Sequence, residues 1–253
     1  MKKCRYCEKP YQENTKIPDF FPKEFLDKIK YIPTCDCYDK VLEQERLTEE
    51  NKIEEERKRN KIKKYKDISL IDKRFHQNIF ESSSMNDKHM TFSKRYADKF
   101  IEKGTAPKGL IFFGDVGTGK THASNCIANY LMTNSKTVLV INLGLYINKL
   151  QREWAEAEND VLQKVKTCDL FIIDDLGTEK ISEFVISKTF MLIDTRYRAD
   201  KPMIITTNLT VDQIANKFNK RISDRILEMC YPVQVNGKSK REINRDEFFE
   251  FMK

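Results

Sequence analysis

Residues 109–121 read GLIFFGDVGTGKT, an apolar run followed by a glycine-rich turn that ends in lysine and threonine. The next residues, HASNCIANYLM, have a helix-forming composition. A short apolar run predicts a buried strand, so the turn lies between a strand and a helix. Gly114, Gly117, Gly119, Lys120 and Thr121 match G-x-x-x-x-G-K-[ST] completely. Glycines permit backbone conformations that a side chain forbids, which lets consecutive N–H groups and the helix amino end surround phosphates. The loop Gly114, Asp115, Val116, Gly117, Thr118, Gly119, Lys120 and Thr121 is therefore predicted to hold ATP, with Lys120 on the β and γ phosphates and Thr121 on Mg²⁺.

A metal-bound nucleotide requires a carboxylate, and LFIIDDLG at 170–177 supplies two at the end of an apolar run. Two adjacent acids would be costly inside a core. Asp174 is placed to hold Mg²⁺ through water, and Asp175 to orient or deprotonate the attacking water. A third run, MIITTN at 203–208, ends in Asn208, whose amide can reach the γ-phosphate or that water. Together the three predict hydrolysis of ATP as well as binding.

Further out, the pattern repeats. Strand-like GLIFF, TVLVIN, DLFIID and PMIITT alternate with helical stretches to about 133, to about 165 and at 181–199. That alternation predicts an α/β fold, a parallel sheet between helices. The helix at 181–199 is apolar on more than one side (Phe184, Val185, Ile186, Phe190, Leu192, Ile193), as for one packed between sheet and neighbours.

A chain of 253 residues with 40% hydrophobic content supports one main core and a small appendage. Its net charge of +7 suits a polyanionic partner. No run approaches the roughly 18 apolar residues of a membrane span, so a soluble cytoplasmic protein is expected, with no membrane partner. Cys126, Cys168 and Cys230 stand singly in apolar surroundings and read as small buried hydrophobes.

The amino-terminal stretch is different. Pro10, Pro18, Pro22 and Pro33 break any long helix before 37. Cys4-x-x-Cys7 and Cys35-x-Cys37 form two close pairs, and four thiolates complete a tetrahedral zinc site. No histidine occurs in the stretch, so Cys4, Cys7, Cys35 and Cys37 are the local ligand choice and the metal is structural. Residues 38–66 lack Gly and Pro and predict a solvated connecting helix, acidic first and then basic from RKRNKIKKYK at 57. The basic part is read as a solvated face or as a segment that contacts phosphate or a partner. The expected division is a zinc-binding domain at 1–40, a charged linker helix at 41–66 and an ATPase domain at 67–253.

The spacing of GDVGTGKT, LFIIDDLG and MIITTN, with the following KRISDRI, resembles the AAA+ ATPases of the DnaC/DnaI helicase-loader family, with the IstB transposition ATPases as close relatives. The likeness covers roughly 67–245. It implies an AAA+ P-loop fold and an ATP-dependent loader of the hexameric replicative helicase onto single-stranded DNA in DNA replication, acting as an ATP-dependent homo-oligomer. By matching position, Arg225 would be an arginine finger on the neighbouring protomer's ATP and Arg221 a supporting basic residue. The late GKSKR resembles the second sensor segment, pointing to Arg241 on the γ-phosphate of its own site. Arg196 and Arg198 fall where the family is basic, without a firm role.

Asp175 stands where most AAA+ ATPases have the longer Glu, which implies slow, assembly-dependent hydrolysis. About 18 residues follow the last expected strand, YPVQV, so no carboxyl-terminal helical lid is expected and a phage-type loader is favoured. DnaI-type loaders resemble the cysteine-paired start as well, with a zinc domain that grips the helicase. The alternatives are an IstB-like transposition helper that binds duplex DNA and recruits a transposase, and a zinc adaptor that uses nucleotide only as an assembly switch.

Overall fold

The computed structural model describes residues 2–18, 30–69, 77–83, 87–152 and 155–237, with residues 22, 26, 75, 85, 239, 249, 250 and 252. The chain consists of two compact units, Met1–Lys58 and Arg59–Lys253. In the first, strands β1 (Gln12–Glu13) and β2 (Tyr31–Ile32) pair antiparallel, and Lys3 bridges to Pro10. Among its described residues Cys4 is the one buried hydrophobe.

Helix α1 (Cys37–Ile68) begins in the first unit and ends in the second, so the boundary falls inside the charged helix. Its acidic half carries ion pairs one turn apart, Arg46 with Glu43 at 2.7 Å and with Glu50 at 3.0 Å, and Lys58 with Glu54 at 3.6 Å. Such exposed pairs contribute only about 0.3–0.5 kcal/mol each. The helix becomes anchored near its end, where Tyr65 is buried and its hydroxyl lies 2.7 Å from Thr167 Oγ1.

The second unit holds β3 (Gly109–Phe113), β4 (Val138–Asn142), β5 (Leu170–Leu176), β6 (Met203–Thr207) and β7 (Cys230–Gln234), with helices α2 (Lys88–Lys103), α3 (Lys120–Thr133), α4 (Leu143–Arg152), α5 (Ala155–Thr167), α6 (Glu183–Arg198), α7 (Val211–Lys217) and α8 (Lys220–Met229). The strands form one parallel sheet in the order β4-β5-β6-β3-β7. Side chains alternate between faces with period two. Leu110, Phe112, Leu170, Ile172 and Ile204 pack with Phe100 of α2 and Ile127 and Leu131 of α3. Ile111, Phe171, Ile173, Met203 and Ile205 meet Tyr146, Val165, Leu192, Ile193 and Ile226 from α4, α5, α6 and α8. Each fully buried Ile or Leu contributes about 1.5–3 kcal/mol, so both layers are needed to hold the sheet.

The stretch expected as one helix to about 165 is two, α4 and α5. Helix α6 begins at a Ser182 cap whose side chain accepts from the Val185 amide, and it buries Val185, Leu192 and Ile193. Ile186 and Phe190 pack against the same core, but Phe184 is exposed. Cys126, Cys168 and Cys230 are buried, as expected of small apolar side chains. No helix among the described residues is long and apolar enough to cross a membrane.

Candidate functional site

Strand β6 lies between β3 and β5, so the carboxyl ends of all three meet at one edge of the sheet. That edge is where open α/β sheets bind ligands. A cleft of about 1080 Å³ opens there, lined by Val116, Gly117, Gly119, Lys120, Thr121, Asp175, Thr178 and Asn208, and by Asn78, Ser83 and His89 from the segment before β3. Its size suits a nucleotide.

The turn after β3 has the conformation its glycines were expected to allow. Gly114 has φ +135° and Gly117 φ +82°, values that favour glycine. A Cβ at Gly114 would collide with the Val235 carbonyl, and one at Gly117 with the Ser239 side chain. The turn runs into the amino end of α3 at Lys120. Thr118 Oγ1 donates to the Asp115 carbonyl at 2.8 Å, and the buried Lys120 ammonium donates to the carbonyls of Gly114 at 2.8 Å and Asp115 at 2.6 Å. Gly114, Asp115 and Thr118 thus shape the loop from behind the cleft.

Asp174 sits behind Thr121, whose hydroxyl donates to Asp174 Oδ1 at 2.9 Å. Thr206 Oγ1 donates to the same oxygen at 2.7 Å and accepts from the Asp175 amide at 2.9 Å. Burial raises the Asp174 pKa above the ordinary carboxylate range, and these hydrogen bonds oppose the shift only in part. The Thr121 hydroxyl at the amino end of α3 and the Asp174 carboxylate in β5 are an oxygen donor set suited to Mg²⁺.

The pairing of β5 with β6 shifts register between Ile173 and Leu176, and Asp175 within that bulge has φ +58°. A non-glycine residue in this region is strained and persists only where its surroundings hold it. The strain turns Asp175 into the cleft while Asp174 stays behind it. Asn208, just past β6, lines the same space.

Thr206 was not singled out in the sequence, where TT ending an apolar strand gives no sign that one hydroxyl touches both acids. His122 was missed likewise. Its Nδ1 lies 3.0 Å from Asn78 Oδ1 and its Nε2 2.7 Å from Ser83 Oγ, fastening residues 78–83 to α3 beside the cleft.

The arginines separate. Arg196 is fully buried and donates to the carbonyls of Pro202, Val165, Cys168 and Asp169 at 2.7–3.1 Å, so it ties together the segments that lead into β5 and β6. Arg198 pairs with Asp194 at 2.8 Å, and Arg221 lies 5.9 Å from the Phe190 ring centre. Arg225 is ion-paired with Asp194 and does not line the cleft of its own chain. Arg241 lies outside the described residues, although Ser239 of the same segment abuts Gly117.

In the first unit the sulfurs of Cys4, Cys7, Cys35 and Cys37 all lie within 4.8 Å of one another. Zinc bonded to sulfur at about 2.3 Å places the corners of a tetrahedron about 3.8 Å apart, so the cluster fits a metal with little movement. The Tyr6 amide lies 3.5 Å from Cys4 Sγ; it and the Cys7 amide hold the Cys4 thiol down to about 7. Cys37, hydrogen-bonded with Cys7 and partly desolvated, is pushed up to about 12. Adjacent thiols resist ionising together until a cation is present.

The likeness to known proteins spans both units. The chain matches the IstB-like ATP binding protein family over residues 30–247. The chain belongs to this family. Over 95% of its length this IstB-like chain is similar to the replicative helicase loader DnaI of Bacillus subtilis (strain 168), 23% identical over 260 residues that cover 79% of that protein. It is 27% identical over 120 residues to the replicative helicase loader DnaC of Escherichia coli (strain K12), 46% of this chain and 49% of that one. The chain spans about half the length of the DnaC relatives it matches.

Among solved structures, DnaI superposes with a TM-score of 0.58 at 23% identity over 68% of this chain and 95% of that one. The DnaC helicase loader gives 0.56 at 21% identity over 65% and 100%, and AMPPCP-bound DnaA from Aquifex aeolicus 0.54 at 17% identity over 73% and 57%. The fold is the expected AAA+ P-loop fold.

Proposed function

We propose that this IstB-like chain is an ATP-dependent loader that places the hexameric replicative helicase on single-stranded DNA. One observation carries the reading: a nucleotide cleft assembled from three strand ends, in a chain whose likeness to a protein named a replicative helicase loader runs through 95% of its length. In this reading residues 1–40 bind Zn²⁺ through Cys4, Cys7, Cys35 and Cys37 and contact the helicase, 41–66 connect, and 67–253 bind ATP, hydrolyse it slowly and assemble with further copies.

Lys120 exchanges the carbonyls of Gly114 and Asp115 for the β and γ phosphates of ATP. Thr121 and Asp174, already adjacent, hold Mg²⁺, which when bound neutralises phosphate charge. Asp175 orients the attacking water and Asn208 steadies that water or the γ-phosphate. Arg241 adds positive charge to the chain's own site, and Arg225 adds it to a neighbouring copy's site.

A transposition helper of the IstB type is favoured by the family match itself, but that match begins at residue 30, after Cys4 and Cys7. With the host's purified replicative helicase, the parent and ATP should load helicase onto single-stranded DNA. Lys120→Ala should lose nucleotide binding and loading together, while Asp175→Asn should bind ATP and turn it over poorly. Duplex preference with recruitment of a transposase, and no effect on the helicase, would replace the reading by the IstB one. Turnover equal in Asp175→Asn and parent, with ATP-dependent assembly intact, would leave a nucleotide-operated assembly switch.

A further inference from the structure

The first unit carries a surface that the nucleotide chemistry leaves unused. A cleft of about 330 Å³ opens beside the cysteine cluster, lined by Lys2, Lys3, Arg5, Tyr6, Tyr11 and Tyr38 among others, with no acidic residue in its lining. Its rings are displayed to solvent: Tyr6 is 44% and Tyr38 51% exposed. Cations and rings are interleaved. The Arg5 guanidinium lies 4.6 Å from the Tyr6 ring centre, and outside the lining Tyr31 has Lys2 and Lys30 at 5.9 and 5.8 Å from its ring centre. Asp36 is engaged by Lys40 at 2.8 Å, Glu8 closes the turn that starts at Cys4 without lining the cleft, and Lys2, Lys3 and Arg5 form no ion pair among the described residues.

We propose that this cleft binds single-stranded nucleic acid, with Lys2, Lys3 and Arg5 on its phosphates and unpaired bases stacked on Tyr6 and Tyr38. Sequence-tolerant recognition of a single strand combines a positive groove that follows the backbone with aromatic faces that take the bases. Each half of that requirement excludes a competitor. A duplex offers phosphates but keeps its base faces stacked, and an acidic peptide satisfies the cations but leaves two half-exposed rings without a partner. A zinc tetrathiolate carries a formal charge of about −2 and accounts for some of the neighbouring cations. It does not account for aromatic rings set among them. The inference deepens the loader reading by giving the single strand a contact on the first unit, yet it requires neither ATP nor helicase to be tested.

The test uses the full-length, zinc-loaded chain without nucleotide and a labelled oligothymidylate of about 16 nucleotides, a length that spans one such binding surface. Fluorescence anisotropy should show Tyr6→Ala and Tyr38→Ala each weakening binding about 5- to 100-fold, with Tyr6→Phe and Tyr38→Phe close to the parent, because the ring and not the hydroxyl does the stacking. Replacing Lys2 and Arg5 together by Ala should lower the slope of log affinity on log salt by about 1.4, at about 0.7 per phosphate contact. Zinc content measured on every variant separates a lost contact from a lost fold. Alanine variants that keep their zinc and bind like the parent would overturn the proposal, as would equal affinity for a duplex of the same length. Displacement of the oligonucleotide by polyglutamate, with both tyrosines dispensable, would identify an acidic-peptide site instead. Normal helicase loading with tyrosine-independent binding sinks this inference alone. Tyrosine-dependent binding without loading sinks only the loader reading.

Discussion

Arg225 on α8 is ion-paired with Asp194 on α6, and its guanidinium lies 4.6 Å from the Phe190 ring centre and 5.1 Å from that of Tyr197. Asp194 also receives Arg198 at 2.8 Å, so one carboxylate on α6 holds two arginines. Both members of the Arg225 pair are about four-fifths buried, and a partly buried cation left without its anion is destabilising. Asp194→Ala should therefore lower unfolding stability by about 1–3 kcal/mol while leaving ATP affinity unchanged, since Asp194 does not line the cleft. Denaturant unfolding beside nucleotide titration checks both halves, and an unchanged midpoint would show the pair to be an ordinary surface contact.

If Asp174 holds Mg²⁺ as proposed, protons should compete with the metal for its carboxylate. Because burial raises its pKa, the folded chain holds that proton more tightly than the unfolded chain does. The resulting contribution to stability is fully present below the unfolded value and is lost as pH rises through the folded one. Magnesium-dependent ATP affinity should run the other way and fall as pH drops through the raised value. Thr206→Val removes a hydrogen bond that favours the ionised form, so it should move that fall to higher pH. Calorimetric titration with and without Mg²⁺ over about pH 5 to 8 reads the shift, and superimposable profiles would remove Thr206 from the metal site.

What the sequence made legible was local. The phosphate loop, the two acids near the end of β5 and Asn208 after β6 each depend on a short run whose conformation a few residues dictate, and the parallel sheet follows from apolar runs separated by helices. The paired cysteines were legible because two close pairs of thiols are the spacing from which a four-sulfur site is built. Thr206 and His122 were not, because their roles arise from neighbours 32 and 44 residues away that only the sheet order and the packing on α3 bring close. The division of α4 from α5 was hidden by a helix-forming composition that runs through both.

Arg196 shows the same limit most sharply. In the sequence it is one of two arginines near the end of an expected helix, without a firm role; in the fold it is fully buried, with five hydrogen bonds to four carbonyls. Replacing it strands those acceptors away from water. Arg196→Leu should cost about 3–5 kcal/mol, and Arg196→Lys should recover only part, because an ammonium cannot span the fork of acceptors. A loss below about 1 kcal/mol in urea unfolding would mean that water or the relaxed loops satisfy the carbonyls.

The cysteine cluster predicts about one zinc per chain, because four thiolates close the coordination shell. Cys4→Ser or Cys37→Ser should lose the metal and disorder the first unit, whose described residues include no other buried hydrophobe than Cys4. The second unit has its own two-layer core and should keep its thermal transition and ATP affinity. Metal analysis of anaerobically purified protein, beside calorimetry, gives the answer. A metal-free protein with an ordered first unit would defeat the assignment.

Arg225 supplies the prediction that reaches beyond one chain. Seated on Asp194 and between two rings, it does not line its own chain's cleft, so its loss should leave ATP binding nearly normal. If it completes a neighbouring site, Arg225→Ala should nevertheless hydrolyse poorly, because the missing charge stabilises the transition state more than the ground state. Lys120→Ala fails for the opposite reason, with a sound Arg225 and a spoiled phosphate loop. Mixing the two inactive proteins creates interfaces where an intact loop faces an intact arginine, and steady-state hydrolysis with single-stranded DNA, at concentrations where the parent assembles, should rise above the summed baselines. A residue acting only within its own chain gives no such recovery. Co-assembly without any gain would therefore return Arg225 to a structural role, holding α8 to α6 through Asp194.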